Sequence, residues 1–356
     1  MTLSQQIRYN KYYAKSNYQM KLRHFVFFIA LIIIVVLAYN QFNQLQSFRE
    51  LFAQINWWIL LLALPLRYLY YRSNAKYFES FFKIFKQKAK FSHLVEATVT
   101  MNFVNIVFPS GGLSGLSYIR KSLEDEVDSS NTTLAQLSWY LLSFAAYLLF
   151  LLIGVVMLLL SNQVIRVSSR IIILVLIIII AISLAFLIFI FSPGTIEDVA
   201  FVAAKPINHF MRLIRKRVFG RKRIKDFIEK MHSSIIFLRH NYKALGKPFF
   251  YTCMMIVWDI ATIYLVFLAF GEIINPGIVI AAYVIALITS LVSVITAGIG
   301  VYEAGMVATF VGLNIPFDVA FAVTIIYRTI ALWLFMPVGL FFYKRTMIDN
   351  KKNIKQ

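Results

Sequence analysis

Long apolar runs, separated by polar stretches rich in lysine and arginine, dominate the chain. A helix needs about 20 largely apolar residues to cross a hydrocarbon core of about 30 Å. Runs of this kind occupy residues 25–39, 52–71, 134–160, 171–191, 249–270, 277–295 and 317–343. No small-residue cleavage site follows the first run, so we expect it to be retained rather than removed as a signal peptide. The pattern predicts an all-α polytopic membrane protein with about eight transmembrane helices.

Basic residues are concentrated in four regions, which should face the cytoplasm because cytoplasmic loops carry the excess of lysine and arginine. These regions are residues 1–24, 72–90, 192–248 and 344–356. Both termini are therefore expected on the cytoplasmic side of the plasma membrane. The formal charge of +20, from 36 Lys and Arg against 16 Asp and Glu, suits a cytoplasmic face beside anionic lipid.

Two further apolar segments, 92–119 and 298–313, are interrupted by glycine and proline. For residues 192–248 to lie in the cytoplasm, the first segment must enter and leave on one side, so we expect a re-entrant hairpin that bends near residues 109–112. For the tail also to be cytoplasmic, the second segment must cross as a short helix. The chain then consists of two membrane halves, residues 25–191 and 249–343, joined by a basic cytoplasmic loop.

Two basic stretches have an apolar helical face, which is typical of amphipathic helices that lie on lipid headgroups. The first face consists of Phe78, Phe81, Phe82 and Phe85, and the second of Ile224, Phe227, Ile228, Met231 and Ile235. The alternative is a solvated loop that carries the usual basic residues of the cytoplasmic side. Nucleic acid is not expected as a partner, because no nucleic-acid motif accompanies the charge.

The two broken segments belong to a weak internal repeat. Each precedes a polar linker and then a long apolar run in which an alanine and a glycine are 19 residues apart, namely Ala135 and Gly154 or Ala320 and Gly339. Paired glycine- and proline-interrupted segments in duplicated halves indicate a transporter binding site. Chance similarity between apolar sequences is the alternative interpretation.

Four ionisable residues lie in or beside apolar segments, where a charge costs roughly 3 kcal/mol or more. They are Glu96, Asp259, Glu303 and Arg328. Glu303 and Arg328 have opposite charges in successive segments, so we expect them to pair. The pair either lines a polar cleft for a charged headgroup or coupling ion, or serves as a buried ion pair that fixes helix packing.

Polar and glycine positions allow two interpretations as well. Spacing places Thr98, Asn102 and Asn105 on one face of a helix, and Tyr283, Ser290, Ser293 and Thr296 on another. These side chains either line a hydrated path or form interhelical hydrogen bonds. The glycines either free backbone amides for a phosphate or allow close helix contact; they are Gly111, Gly112, Gly115, Gly298, Gly300 and Gly305.

Composition and missing motifs exclude several classes of protein. The chain is 60% hydrophobic and 15% charged, against about half and a quarter in soluble domains, so a large soluble enzyme is excluded. Cys253 is the only cysteine, and the histidines lack a His-Glu-x-x-His spacing. No Walker loop or Gly-x-Ser-x-Gly motif is present. We therefore expect no metal, no cofactor and no catalytic residue.

Two motifs resemble one family. Asn105, Pro109, Gly112 and Arg120 match its first motif, and Gly298, Gly300, Glu303, Gly312, Ala320 and Arg328 match its second, more specific one. The chain is similar, over about residues 20–343, to the transmembrane domain of lysylphosphatidylglycerol synthase/flippase proteins. One difference is that Leu113 follows Gly112 where the family commonly has glutamate, so a headgroup contact by that glutamate is not expected here.

The resemblance implies a plasma-membrane protein that moves aminoacylated or otherwise modified phospholipid between leaflets, and so protects cells against cationic peptides. In such a flippase Glu303 would contact a cationic headgroup and Arg328 would bind lipid phosphate or orient Glu303. We expect the family's aminoacyl-transfer domain to be missing, and so do not expect this chain alone to act as a phosphatidylglycerol lysyltransferase. A separate lipid-modifying enzyme is then an expected partner.

Three alternatives stay open. The chain is a membrane-embedded lipid-modifying transferase or its subunit, an ion-coupled carrier of a small solute, or a scaffold that transports nothing. We also count Asp259 among the expected substrate- or lipid-binding residues, since an ionisable residue inside a membrane segment is a functional candidate. The alternative is that Asp259, like Glu96, faces water near an interface.

Overall fold

The computed structural model describes residues 55–108, 113–161, 236–292 and 300–353, together with positions 53, 229, 233 and 234. Several sequence predictions lie outside these residues: the apolar runs 25–39 and 171–191, the N-terminal region 1–24, and most of the basic loop 192–248. The apolar face predicted from Ile224 to Ile235 also lies outside them.

The chain divides into two compact units. One contains Gln54–Ala203 and Gly220–Gln356, and every helix named below belongs to it. Of the other, Met1–Ala53 with Ala204–Phe219, the structure describes position 53 alone. Within the described ranges all regular secondary structure is helical, which confirms the all-α class.

The first part of the chain contains a short helix, a long polar helix, a helix pair and the longest described helix. These are α1 (Trp57–Leu61), α2 (Ala63–Phe82), α3 (Phe91–Val107), α4 (Leu113–Ser122) and α5 (Ser129–Leu160). Asn56 begins α1, where its Oδ1 accepts a hydrogen bond from the Trp58 amide at 3.1 Å, a typical N-cap interaction. Helices α3 and α4 pack against each other on either side of residues 108–112.

The second part repeats this order of elements. It contains α6 (Gly246–Ala269), α7 (Pro276–Val292), α8 (Val301–Gly312), α9 (Phe317–Arg328), a π-helical turn (Thr329–Trp333) and α10 (Met336–Asn353). Helices α7 and α8 pack against each other as α3 and α4 do.

Within the described residues, three helical stretches are long and apolar enough to cross a bilayer: Ser129–Leu160, Tyr242–Ala269 and Phe317–Thr346. The last combines α9, the π-helical turn and most of α10. Helix α8 has 12 residues and is therefore about 18 Å long, shorter than the hydrocarbon core. The predicted crossing by residues 298–313 would have to include residues that flank this helix, and it stays a prediction.

The interfacial helix predicted from the phenylalanines after residue 77 is wrong. Helix α2 continues to Phe82, and Phe78, Phe81 and Phe82 are at most 1% exposed. They pack on side chains of α3, α4 and α5, among them Leu94. Phe85 stacks on Phe237, with ring centroids 5.0 Å apart. The apolar face therefore contacts protein, and the alternation of phenylalanine with lysine reflects burial on one side only.

Close helix contacts relate the two halves. A Cβ added at Gly154 of α5 would lie 2.9 Å from Ile280 of α7, and one at Gly339 of α10 would lie 2.5 Å from Phe103 of α3. The long helix of each half thus packs on the broken pair of the other half. Both glycines belong to the repeat predicted from the sequence, and close contact is the interpretation that the structure supports at these positions.

Candidate functional site

Asp259, near the middle of α6, accepts hydrogen bonds from three other helices. The Arg67 Nη1 of α2 donates to Oδ1 in a short ion pair. The Tyr283 hydroxyl of α7 donates to Oδ2 at 2.8 Å, and the Tyr327 hydroxyl of α9 donates to Oδ1 at 3.1 Å. Asp259 is 6% exposed and Arg67 is 3% exposed. A charge buried this deeply needs a partner of opposite charge, and Arg67 supplies it.

Arg67 also contacts groups other than Asp259. Its guanidinium carbon lies 4.3 Å from the centroid of the Tyr70 ring, within range of a cation–π interaction. Its Nη2 lies 3.5 Å from the Ala331 carbonyl oxygen, a long hydrogen bond. Among the described residues its Nε has no hydrogen-bond partner. The guanidinium is therefore held in place while some of its donor groups stay unused.

The π-helical turn Thr329–Trp333 lies directly after Arg328 and contains Ala331. A π-helical turn shifts the hydrogen bonding of an α-helix by one residue and is common at functional sites. Here the turn leaves the Ala331 carbonyl oxygen facing Arg67. The irregular backbone thus lies beside both buried arginines.

Glu303 and Arg328 form the second ion pair, which confirms the pairing predicted from the sequence. Arg328 Nε donates to Glu303 Oε1, and the guanidinium carbon lies 4.3 Å from the centroid of the Tyr302 ring. The Arg328 and Glu303 side chains are 11% and 18% exposed. This pair is therefore somewhat more accessible than the Arg67–Asp259 pair, whose side chains are 3% and 9% exposed.

The start of α8 positions Glu303. Gly300 has a φ of +89°, a backbone conformation that a residue with a Cβ rarely adopts. Gly300 is the N-cap of α8, and its amide donates to Oε2 of Glu303, the third helical residue, at 2.6 Å, which is the side-chain half of a capping box. The N-terminal end of the helix dipole also favours a negative charge there. Gly300 was predicted as a lipid-binding residue, and its observed role is to begin the helix that holds Glu303.

Tyr327 connects the two ion pairs. Its hydroxyl bonds Asp259, while the next residue in the chain, Arg328, bonds Glu303. Both Arg67 and Arg328 interact electrostatically with the Tyr327 hydroxyl. Two cations and two carboxylates are thus arranged around one tyrosine. Their formal charges cancel, which makes the cluster tolerable inside a membrane protein.

A polar face of α5 leads to this cluster. Gln136, Tyr140, Ser143 and Tyr147 are three or four residues apart and so share one side of the helix. Tyr147 interacts electrostatically with Asp259. The Gln136 Oε1 and Ser143 Oγ are buried and have no hydrogen-bond partner within the part of the chain that the structure describes. Buried polar atoms of this kind indicate ordered water.

Two predicted site residues of the first broken segment, Asn105 and Arg120, are described, and neither contacts the cluster. Asn105 Oδ1 accepts from the Gly115 amide at 2.9 Å, and a Cβ at Gly115 would meet the Asn105 side chain. Asn105 therefore joins α3 to α4. Arg120 is exposed in the last turn of α4. Pro109, Gly111, Gly112 and, in the second segment, Gly298 lie outside the described residues.

The polar stripe of α3 forms hydrogen bonds within the protein. Asn102 Nδ2 donates to the Tyr71 hydroxyl at 2.9 Å, and Thr98 Oγ1 donates to the Val95 carbonyl at 3.0 Å. Asn102 thus forms an interhelical hydrogen bond, one of the two interpretations of this stripe, whereas the Thr98 bond lies within α3. Glu96 is 3.8 Å from Arg345 in a partly exposed pair between α3 and α10, away from the cluster.

Sequence reasoning missed Arg67, although a signal was present. Arg67 lies within the apolar run 52–71, so the rule that singled out Asp259 applied to it equally. Tyr327 was missed because a tyrosine beside an arginine near a helix end is common and does not by itself indicate a functional residue. Only the packing of α9 on α6 shows that its hydroxyl reaches Asp259.

Comparison with known proteins identifies the family of this chain. The family model described as the lysylphosphatidylglycerol synthase TM region matches residues 25–339. The chain belongs to this family. As a member of the lysylphosphatidylglycerol synthase TM region family it is a membrane protein, in agreement with the apolar helices of the structure. Both ion pairs lie inside the matched residues.

Two curated relatives are archaeal. A UPF0104 membrane protein of Methanocaldococcus jannaschii is 28% identical over 138 residues, which are 38% of this chain and 41% of the relative. A UPF0104 membrane protein of Methanothermobacter thermautotrophicus is 28% identical over 102 residues, which are 29% of this chain and 30% of the relative. The matched part thus spans less than half the length of each relative.

Proposed function

We propose that the protein moves a phospholipid with a charged headgroup between the leaflets of the cell membrane. The observation that carries this proposal is the cluster of two ion pairs joined by Tyr327 and held by helices of a membrane protein. Buried charge is costly in a membrane and is usually retained for function. Membership of the lysylphosphatidylglycerol synthase TM region family supports a lipid as the substrate.

The Glu303–Arg328 pair is the part of the cluster that suits a headgroup best. A lipid such as lysylphosphatidylglycerol carries ammonium groups and a phosphate, which complement a carboxylate and a guanidinium respectively. Glu303 lies at the start of a short helix, and its side chain is more exposed than that of Asp259. The headgroup would exchange with the internal partners of this pair while the acyl chains stay in the bilayer.

The experiment is lipid exchange in vesicles that contain the purified full-length protein. Fluorescent phosphatidylglycerol, lysylphosphatidylglycerol and phosphatidylcholine are placed in both leaflets, and a membrane-impermeant quencher reports the fraction that reaches the outer one. We expect wild-type protein to accelerate the exchange of at least one charged lipid. Glu303→Gln and Arg328→Gln should slow it by at least about tenfold, equivalent to about 1.4 kcal/mol.

Glu79→Gln is the matched control. Glu79 pairs with Lys76 and Lys83 near the end of α2, so the change removes a carboxylate and its ion pairs outside the cluster. Exchange should be unchanged in this variant. Absence of acceleration by wild-type protein for every lipid, or equal exchange in all three variants, would refute the proposal.

A second candidate function is that of a membrane subunit of a lipid-modifying transferase, because the family description names a synthase. This candidate predicts a new aminoacylated lipid in cells that express the chain with its partner enzyme, and loss of that lipid in Glu303→Gln. Lipid extraction followed by mass spectrometry distinguishes the two functions, since translocation alone changes the leaflet of a lipid and leaves its chemical identity unchanged.

A further inference from the structure

Arg67 has more hydrogen-bond donors than the protein uses. A guanidinium carries five N–H donors. Here Nη1 bonds Asp259, Nη2 has a long bond of 3.5 Å to Ala331, and the buried Nε has no partner among the described residues. The side chain is 97% buried, so bulk water does not supply the missing acceptors. Unused donors on a buried cation require an acceptor, either an ordered water or a ligand that displaces it.

We propose that Arg67 binds the phosphate of the transported lipid and that this binding is coupled to the protonation of Asp259. The inference rests on the proposed function, because it assigns the cluster a phosphate-bearing ligand. It goes further in two respects. It adds a second phosphate-binding cation beside Arg328, and it identifies a proton as the ion whose uptake accompanies lipid binding.

The coupling follows from the number of charges. A phosphate that binds the unused Arg67 donors also competes with Asp259 for Nη1. When it takes that donor too, Asp259 loses its only ion-pair partner among the described residues and keeps the Tyr283 and Tyr327 hydroxyls. A buried carboxylate without a counter-ion is costly, so it takes up a proton. One proton from water binds a carboxylate oxygen as the phosphate binds Arg67. When the phosphate leaves, Arg67 returns to Asp259 and the proton goes back to water.

Asp259 and Glu303 are the carboxylates of the cluster. The ionisable groups that interact with Asp259 from the packed helices are one arginine and several tyrosines: Arg67 and Tyr70 of α2, Tyr147 of α5, Tyr283 of α7, Tyr302 of α8 and Tyr327 of α9. Arg328 of α9 interacts with Tyr302 and Tyr327. Tyrosines are neutral and arginines charged near pH 7. Glu303 keeps the Gly300 amide as a donor when Arg328 moves, whereas Asp259 keeps only tyrosine hydroxyls. Proton uptake is therefore assigned to Asp259.

The polar face of α5 offers the proton a route. Tyr147 interacts electrostatically with Asp259, and Ser143 and Gln136 continue the same face toward the start of the helix. The unpartnered oxygens of Ser143 and Gln136 suit bridging waters, along which a proton can pass.

The test is isothermal titration calorimetry on the full-length protein in detergent micelles near pH 7, in two buffers with different ionisation enthalpies. The difference between the two heats gives the number of protons taken up. Three ligands distinguish the source of the phosphate. They are dihexanoylphosphatidylglycerol, its soluble headgroup glycerophosphoglycerol, and dihexanoylglycerol, which lacks phosphate. Phosphodiesters have no titrating proton in this range, so any proton uptake belongs to the protein.

We expect about one proton taken up per bound phosphodiester, and no proton uptake with dihexanoylglycerol. Uptake with the lipid alone would identify a lipid site, and uptake with both phosphodiesters a general phosphate site; either supports the coupling. The asparagine side chain of the Asp259→Asn variant is neutral, like the protonated acid. This variant should therefore bind the phosphodiester without proton uptake. Asp259→Glu should restore uptake, and the control Glu79→Gln, outside the cluster, should retain it.

Phosphodiester binding without proton uptake by wild-type protein would overturn the inference, and this result does not depend on whether any variant folds. Absence of binding by both phosphodiesters, or the same proton number in Asp259→Asn, would overturn it too. Lipid exchange in vesicles is measured separately. Exchange without proton uptake contradicts the coupling alone, while proton uptake without exchange contradicts the proposed function alone.

Discussion

Tyr327 and Arg328 are neighbours in the chain but bond to different carboxylates, the first to Asp259 on α6 and the second to Glu303 on α8. A rotation of α9 that alters one contact must therefore alter the other. The π-helical turn follows at once, so the backbone of this part of the span is irregular, as is common at functional sites. The geometry provides a direct mechanical link between the two ion pairs.

Replacing Tyr327 with Phe tests this link. The variant keeps the ring and loses the hydrogen bond to Asp259, a bond to a charged group that is worth about 1.5–3 kcal/mol. We expect slower lipid exchange in vesicles, and effects of Tyr327→Phe and Glu303→Gln that are not additive in a double-mutant cycle. Tyr68→Phe, on the exposed side of α2, is the control and should behave as wild type. Strict additivity would show that the two ion pairs act independently.

Replacing Arg67 with Gln tests the cost of an unpaired buried charge. Asp259 would keep two tyrosine partners and lose its cation, which should destabilise the protein by about 3–5 kcal/mol. The double variant Arg67→Met with Asp259→Leu removes both charges and should recover most of the lost thermal stability in detergent. It should not recover lipid exchange. Recovery of both properties would mean that the Arg67–Asp259 pair serves packing alone.

Glycine contacts between the halves give a stability prediction. Gly339→Ala brings a methyl group against the Phe103 Cβ, which is fixed to the α3 backbone and cannot easily move. We expect destabilisation of about 1–3 kcal/mol, the usual cost of overpacking. Gly246→Ala is the matched control, because a Cβ there meets nothing within 4 Å and alanine favours the helix. Thermal unfolding of the two variants in the same detergent should therefore move in opposite directions.

Acid should weaken one contact outside the cluster. Partial burial of Glu79 acts in the opposite direction, but hydrogen bonds from Lys76 and Lys83, at 2.6 and 2.8 Å, lower the pKa of its carboxyl group. A lowered pKa stabilises the folded state above the ordinary carboxyl value of about 4.3, and the contribution disappears as the pH falls through the lowered value. Glu79→Gln should cost about 0.5–1 kcal/mol at pH 7, and less as the pH falls below the ordinary carboxyl value. An equal cost above and below that value would contradict this assignment.

The sequence was sufficient for features that depend on local pattern and on the cost of charge in a membrane. The helical class and the Glu303–Arg328 pair belong to this group. Periodicity does not show what a helix face touches. The apolar face of α2 therefore suits lipid headgroups by its pattern, although its phenylalanines pack on protein. The partners of Asp259 come from three other helices, so only the packing of those helices reveals them.

The long helix of each half packs on the broken helix pair of the other half, and this arrangement has a consequence for synthesis. Gly154 is translated before the α7 residues that it contacts, and the α3 surface that Gly339 covers is made long before Gly339 itself. The early helices therefore stay incompletely packed until the later helices have been synthesised. Final assembly is a late, concerted event, and a truncated chain would leave the surface around Phe103 exposed to lipid or to quality-control proteases.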